Sequence, residues 1–216
     1  LETAAKTLDC DLTIIGAGVN NWQGNTLGVM AKSMLHCCSV PLWVSNCRVE
    51  KFDYDNILCA VDLSKTSLQT LNSAASVARI LNAKLHIIHV EPQLTYYPGL
   101  LDSSIPVSPW ALGEYMNQMK SEEEYSEQHE EYVMTHDFQD FLEKAEHGGL
   151  VVKEYIKSGK ASSHIIDFLK ESETGLLVMG SRPKSRFLSR FFGGTAEQVV
   201  DHLPSSLLVI PHSKDT

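Results

Sequence analysis

Short apolar runs bounded by turn residues recur along the chain, the pattern of strands buried on both faces of a sheet. They fall at Leu12 to Ile15, Pro41 to Val44, Ile57 to Val61, Leu85 to Val90, Leu176 to Met179 and Leu207 to Ile210. Val151 to Ile156 alternates apolar with polar and suits a strand nearer an edge. Between them runs helical periodicity. Ser67 to Leu81 places Leu68, Leu71, Ala75 and Ala78 on one face, with Ser64 in the N-cap region and Asn82 at the stop. Glu114 to His147 reads as a long acidic helix with Tyr125, Val133, Phe138 and Phe141 facing a core. Ser162 to Lys170 and Thr195 to His202 read as two more helices, and Glu2 to Leu8 as the tail of another.

Strand and helix alternate from Ile57 onward, which predicts right-handed βαβ crossovers and an open, doubly wound parallel α/β sheet. Ligands in such sheets bind at the carboxyl ends of the strands. The exits at Asp62, Val90 and Gly180 are therefore the places to look for chemistry.

An internal repeat adds a second level of organisation. "DLTIIGAG" (Asp11 to Gly18) resembles "TGLLVMGS" (Thr174 to Ser181), and "GNTLGVMAKSM" (Gly24 to Met34) resembles "GGTAEQVVDHL" (Gly193 to Leu203). Each copy ends in an apolar strand, "PLWVS" and "SLLVIP". Residues 1–48 are thus expected to be the back half of a domain like residues 49–216, joined by a short polar linker from Asn46 to Asp55. A half-domain exposes a raw sheet edge that needs a cover. The opening at Leu1, with no Met and no signal-peptide pattern, suggests the C-terminal part of something longer.

One stretch breaks the alternation. Pro92 to Gln118 gathers Tyr96, Tyr97, Leu100, Leu101, Ile105, Val107 and Trp110 among Pro98, Pro106 and Pro109. An insertion of this length serves as a lid, a binding surface or a mobile loop.

Composition narrows the partners. A formal charge of -9 repels phosphate backbones, so nucleic acid is not an expected partner. No apolar run reaches the roughly 18–20 residues that span a bilayer, so no membrane is expected. The five cysteines, without CxxC spacing, suggest reduced thiols and a cytoplasmic location. Adjacent Cys37 and Cys38 are poor geometry for one ion, and no metal is expected. His86 and His89 face opposite sides of their strand, each in a core or surface role. His129 and His136 lie on an acidic helix whose solvated face explains them better than zinc does.

The densest chemistry lies between Gly180 and Thr195. Gly180, Ser181 and Arg182 leave a strand, and Gly193, Gly194 and Thr195 lead into a helix whose N–H groups and positive dipole end favour a phosphate. Arg182, Lys184, Arg186 and Arg190 add positive charge to an otherwise acidic chain.

With these motifs in view, residues 51–212 resemble a universal stress protein domain. "ILCAVDLSKTSLQTL" is similar to the family's first strand and helix, "LHIIHVEP" to its second strand, and "SGKASSHIIDFLKE" to the segment before its fourth. "VMGSRPKSRFLSRFFGGTAEQVV" is similar to its nucleotide loop. The resemblance implies an adenine nucleotide alpha hydrolase-like fold. With the repeat, it implies the tandem, two-domain arrangement of the E type. It also implies that Asp62 lies near adenine and ribose, that Val61 lines the adenine pocket, and that ATP or a related adenine nucleotide binds without dedicated catalysis.

The family's loop runs Gly, two residues, Gly, nine residues, Gly, then Ser or Thr. Gly180 and Gly193 match the first and third glycines, Pro183 stands in place of the second, and Gly194 precedes Thr195. Proline removes an N–H donor, fixes φ near −65° and restrains Arg182, which weakens the expected affinity for ATP. In the first copy only seven residues separate Gly16 from Gly24, against twelve between Gly180 and Gly193, so no nucleotide is expected there. The alternative expectation is a nucleotide-independent interaction module, or a small apolar-ligand binder, that uses the 92–118 insertion. The last strands of two such domains commonly pair antiparallel, so "PLWVS" and "SLLVIP" are expected to form either an intramolecular pseudo-dimer or a homodimer contact.

Overall fold

The computed structural model describes residues 1–18, 27–37, 39–46, 54–91, 137–145, 148, 150, 152–181 and 194–211. All seven expected strands form: β1 (Thr13–Gly16), β2 (Leu42–Ser45), β3 (Asn56–Val61), β4 (Lys84–Glu91), β5 (Val152–Ser158), β6 (Leu176–Gly180) and β7 (Ser206–Ile210). The helices are α1 (Glu2–Thr7), α2 (Val29–Cys37), α3 (Lys65–Leu81), α4 (137–143), α5 (Ala161–Glu171) and α6 (Gly194–Val200).

One sheet holds all seven strands in the order β1-β2-β7-β6-β3-β4-β5. Every neighbouring pair is parallel except β2 with β7, where Leu42, Trp43 and Val44 face Val209, Leu208 and Leu207 in antiparallel register. The expected antiparallel meeting of "PLWVS" and "SLLVIP" therefore occurs within one chain. β5 is an edge strand, as its mixed pattern suggested.

The central strands are apolar on both sides because helices cover both faces. Leu58, Ile88, Leu177, Leu207 and Val44 pack in one cluster with residues of α2, α5 and α6. Residues of opposite parity, such as Ile57, Cys59, Leu176 and Val178, are fully buried on the other face, where α3 lies against β3 and β6. Burial pushes the Cys59 thiol up to about 12, which keeps it protonated and unreactive.

The ends of α3 follow from their caps. Ser64 Oγ accepts from the Ser67 amide at 3.2 Å, and Asn82 takes the left-handed conformation that stops the helix. Its buried stripe is Ser67, Thr70, Leu71, Ala74, Ala75 and Ala78. The expected Leu68 stands at the margin of that stripe, half-buried, because small side chains let the helix sit close to the sheet.

Residues 93–143 form a separate unit, of which 137–143 are described. These residues are helical as expected, with Phe138, Phe141 and Leu142 buried. Tyr125, Val133, His129, His136 and the 92–118 insertion lie outside the described residues. Among the described residues, no helix is long and apolar enough to cross a membrane.

The N-terminal segment leaves large apolar side chains exposed. Ile14 on edge strand β1 is 66% exposed and Met30 on α2 is 67% exposed.

His86 is buried against Tyr155 of β5 and Phe168 of α5, with Nε2 3.3 Å from Asn56 Oδ1. Its Nδ1 is buried with no hydrogen-bond partner. Burial, then the charges of Lys153 and Lys84, hold its pKa below the usual 6.5. The unfolded chain therefore binds the proton more readily than the folded one. The His86 contribution is complete above pH 6.5 and is lost as pH falls through the lowered value. We expect the urea midpoint to fall on acidification below pH 6.5, and His86→Leu to reduce that acid sensitivity while lowering stability at neutral pH. An unaltered acid limb in His86→Leu would place the sensitivity elsewhere.

Candidate functional site

The carboxyl ends of the parallel strands line up in one row. Ile156 of β5 pairs with His89 of β4, His89 with Val61 of β3, and Gly180 of β6 with Ile210 of β7. The β3–β6 register, Ala60 with Met179, makes Val61 and Gly180 level across the middle of the row. The sequence thus brings two of its expected site residues together, on the α3 face of the sheet.

Asp62 follows immediately and is exposed. Its Oδ1 accepts hydrogen bonds from the Ser64 amide at 3.2 Å, Ser64 Oγ at 2.5 Å and Ser67 Oγ at 2.5 Å. The Asp62 amide in turn donates to Ser67 Oγ at 3.0 Å. Ser64 Oγ has one hydrogen, which it gives to Asp62. Thr66 Oγ1, 2.8 Å from Ser64 Oγ, must then be the donor in that contact. The carboxylate is therefore pinned to the start of α3, where the positive end of the helix dipole favours its charge. Sequence reasoning found Asp62 but missed Ser64 and Ser67 as its holders. Their signal was the D-x-S-x-x-S spacing at a strand exit.

His89 is another residue whose role the pattern concealed. Buried, it bridges the Val61 carbonyl (Nδ1, 3.0 Å) and the Glu91 carboxylate (Nε2, 3.0 Å). Its core placement matches expectation, but its bond fixes the backbone oxygen of a site residue. Glu91 stands half-exposed beside it. The clue was the His-x-Glu spacing, which puts both side chains on one face of a strand end.

Gly180 lies close against α3. A methyl group built on it would lie 2.8 Å from Thr70 Oγ1 of α3. The described contact that favours glycine here is helix-to-sheet packing. The Ser181 amide donates to the Ile210 carbonyl at 2.9 Å, extending the β6–β7 ladder, so that N–H is turned from the exit toward β7.

Gly194 begins α6 and Thr195 is half-buried in its first turn. Arg182, Pro183, Lys184, Arg186, Arg190 and Gly193 lie outside the described residues.

The sequence signature of the universal stress protein family matches residues 53–211. The chain belongs to the universal stress protein family. The universal stress protein A homolog of Pasteurella multocida is 30% identical over 160 residues, covering 73% of this chain and 96% of that protein. Universal stress protein A of Escherichia coli K12 is 26% identical over 160 residues, with 73% and 94% covered. Among solved structures, a protein of unknown function from Pseudomonas aeruginosa PAO1 superposes with a TM-score of 0.69 at 18% identity. That match covers 97% of this chain and 66% of the other. A universal stress protein from Archaeoglobus fulgidus gives 0.60 at 21% identity, covering 100% and 65%. The chain thus spans about two thirds of the length of these two structures. The fold is the adenine nucleotide alpha hydrolase-like α/β fold of universal stress proteins.

The Asp62 carboxylate at the β3 exit is thus fixed in orientation by its own turn. Because Gly180 packs against Thr70, we expect Gly180→Ala to destabilise the domain by about 1–3 kcal/mol. Adding Thr70→Ala should recover most of the added strain, measured as non-additivity in urea unfolding. Fully additive losses would mean that the glycine serves something other than this contact.

Proposed function

We propose that this universal stress protein binds ATP or a related adenine nucleotide at the row formed by Val61, Asp62 and Gly180, and acts as a stress-response module without dedicated catalysis. The observation that carries the reading is the Asp62 carboxylate, held at the β3 exit by Ser64 and Ser67 and oriented before any ligand arrives. Preorganisation removes an ordering cost from binding. The hydroxyls and amide on Oδ1 orient a carboxylate and do not make it a base, which accords with a binding role. In this reading Ser181, Arg182, Gly193, Gly194 and Thr195 supply the phosphate end, and Val61 supplies the adenine wall.

The tandem arrangement belongs to the same proposal, with residues 1–48 as the closing half of a first domain. Its support is the repeat together with the antiparallel β2–β7 pairing. A cytoplasmic location rests on the cysteine pattern alone.

Pro183 favours a second reading, a module that works through protein contacts or a small apolar ligand at the 92–118 insertion, without nucleotide. Titration calorimetry separates the two. The nucleotide reading expects heat with millimolar ATP, an affinity weakened roughly tenfold by Asp62→Ala, about 1.4 kcal/mol, and an affinity strengthened by Pro183→Gly. If both the wild type and Pro183→Gly are silent at millimolar ATP, the second reading stands and the first falls.

A further inference from the structure

The two repeats meet across an approximate two-fold axis. In the antiparallel β2–β7 pair, Trp43 faces Leu208, with Leu42–Val209 and Val44–Leu207 on either side, so a local two-fold passes through the Trp43–Leu208 pair. The helices that follow the glycine loops obey the same relation. Counting from Gly24 in one copy and Gly193 in the other, the ninth positions are Lys32 and Asp201. These two residues, 169 apart in sequence, are joined by a salt bridge with Lys32 Nζ 2.6 Å from Asp201 Oδ1.

A position that meets its own equivalent across a two-fold axis is special. In an interface between identical copies it would place a residue against itself. Apolar equivalents tolerate this. Leu27 and Ala196, Ala31 and Val200, and Met34 and Leu203 occupy matched positions and are buried in both copies. Such pairs do not care which copy they meet. A charge does, since Asp201 opposite a second Asp201 repels where Lys32 attracts.

We propose that Lys32 and Asp201 are a partner-selecting charge pair. They make the β7–α6 face accept the chain's own N-terminal segment and reject the same face of a second copy. The partner that fits this surface is a repeat with a basic residue at its ninth position. The partner it excludes is one with an acid there, this chain's own domain included. This selection works by unfavourable pairing of the wrong partner as much as by attraction of the right one. It stands whether or not a nucleotide binds.

The side chains are 41% and 45% exposed, so water screens the pair and its effect is modest. The test uses the full chain as Lys32→Asp, as Asp201→Lys and as the double reversal. We expect each single reversal to lower the folded-to-unfolded ratio and the double reversal to restore it. The coupling should be about two- to tenfold at low salt and smaller in concentrated salt. Co-refolding the two single variants should yield a heterodimer of twice the 24.0 kDa chain mass by light scattering, absent from either variant alone. Strictly additive reversals overturn the proposal. Coupling without a heterodimer also overturns it, leaving a structural ion pair with no say in partner choice.

Discussion

Burial of the sheet on both faces is the constraint from which the rest of this molecule follows. Backbone N–H and C=O groups in the middle of the sheet are satisfied by parallel ladders. Side chains there must be apolar on both sides, which is why Ile57, Leu58, Cys59, Leu176, Leu177 and Val178 run without a polar interruption. Polar chemistry is thereby driven to the strand ends. At the carboxyl ends the chain must turn into helices, so Val61, His89 and Gly180 end level with one another and Asp62 opens onto solvent. The same close packing sets the glycine at Gly180, since α3 leaves no space between Thr70 and the sheet. A site at this place is a consequence of how the core is covered.

The second organising feature is the single antiparallel joint. Parallel strands β1–β2 and β6–β7 are two copies of one arrangement, and β2 against β7 fuses them into one continuous sheet. Trp43 packs edge-on against Tyr54 at 5.5 Å, and the Tyr54 hydroxyl lies 3.3 Å from Ser206 Oγ at the start of β7. The Asn46 amide donates to the same serine, and its side chain to the Pro204 carbonyl. Both ends of the connecting segment are thus tied to the strand that they cross. The cost of this design is visible on the far side, where β1 offers its edge and Ile14 is exposed.

Much of the fold was legible because period-2 and period-3.6 patterns are written in apolar residues. All seven strands, the Ser64 and Asn82 caps and the antiparallel partner of β7 could be read from them. What stayed hidden depended on distance in space. Leu68 was assigned to the buried face of α3, yet Thr70 and the alanines hold it, because helix-to-sheet separation is invisible in periodicity. The close approach of Thr70 to Gly180 joins residues 110 positions apart, which no local pattern reveals. Asp62 was found from its place after a strand, but the serines that hold it act through hydrogen bonds whose geometry no pattern encodes. His86 and His89 were each expected in a core or surface role, and both are buried. That one packs among rings and the other grips a backbone carbonyl follows from which face each meets.

The proposed binding face lies at the carboxyl ends of β3, β4 and β6, where the fixed Asp62 carboxylate follows Val61 and Val61 is level with Gly180. The most direct measurement is the amide NMR spectrum during titration with ATP. The account predicts that the resonances of Asp62, Ser64, Ser67, Gly180 and Ser181 move together with one affinity, while those of β1 and β2 stay still. Saturating ATP that leaves these five unmoved, or that shifts residues of β1 and β2 instead, would contradict it.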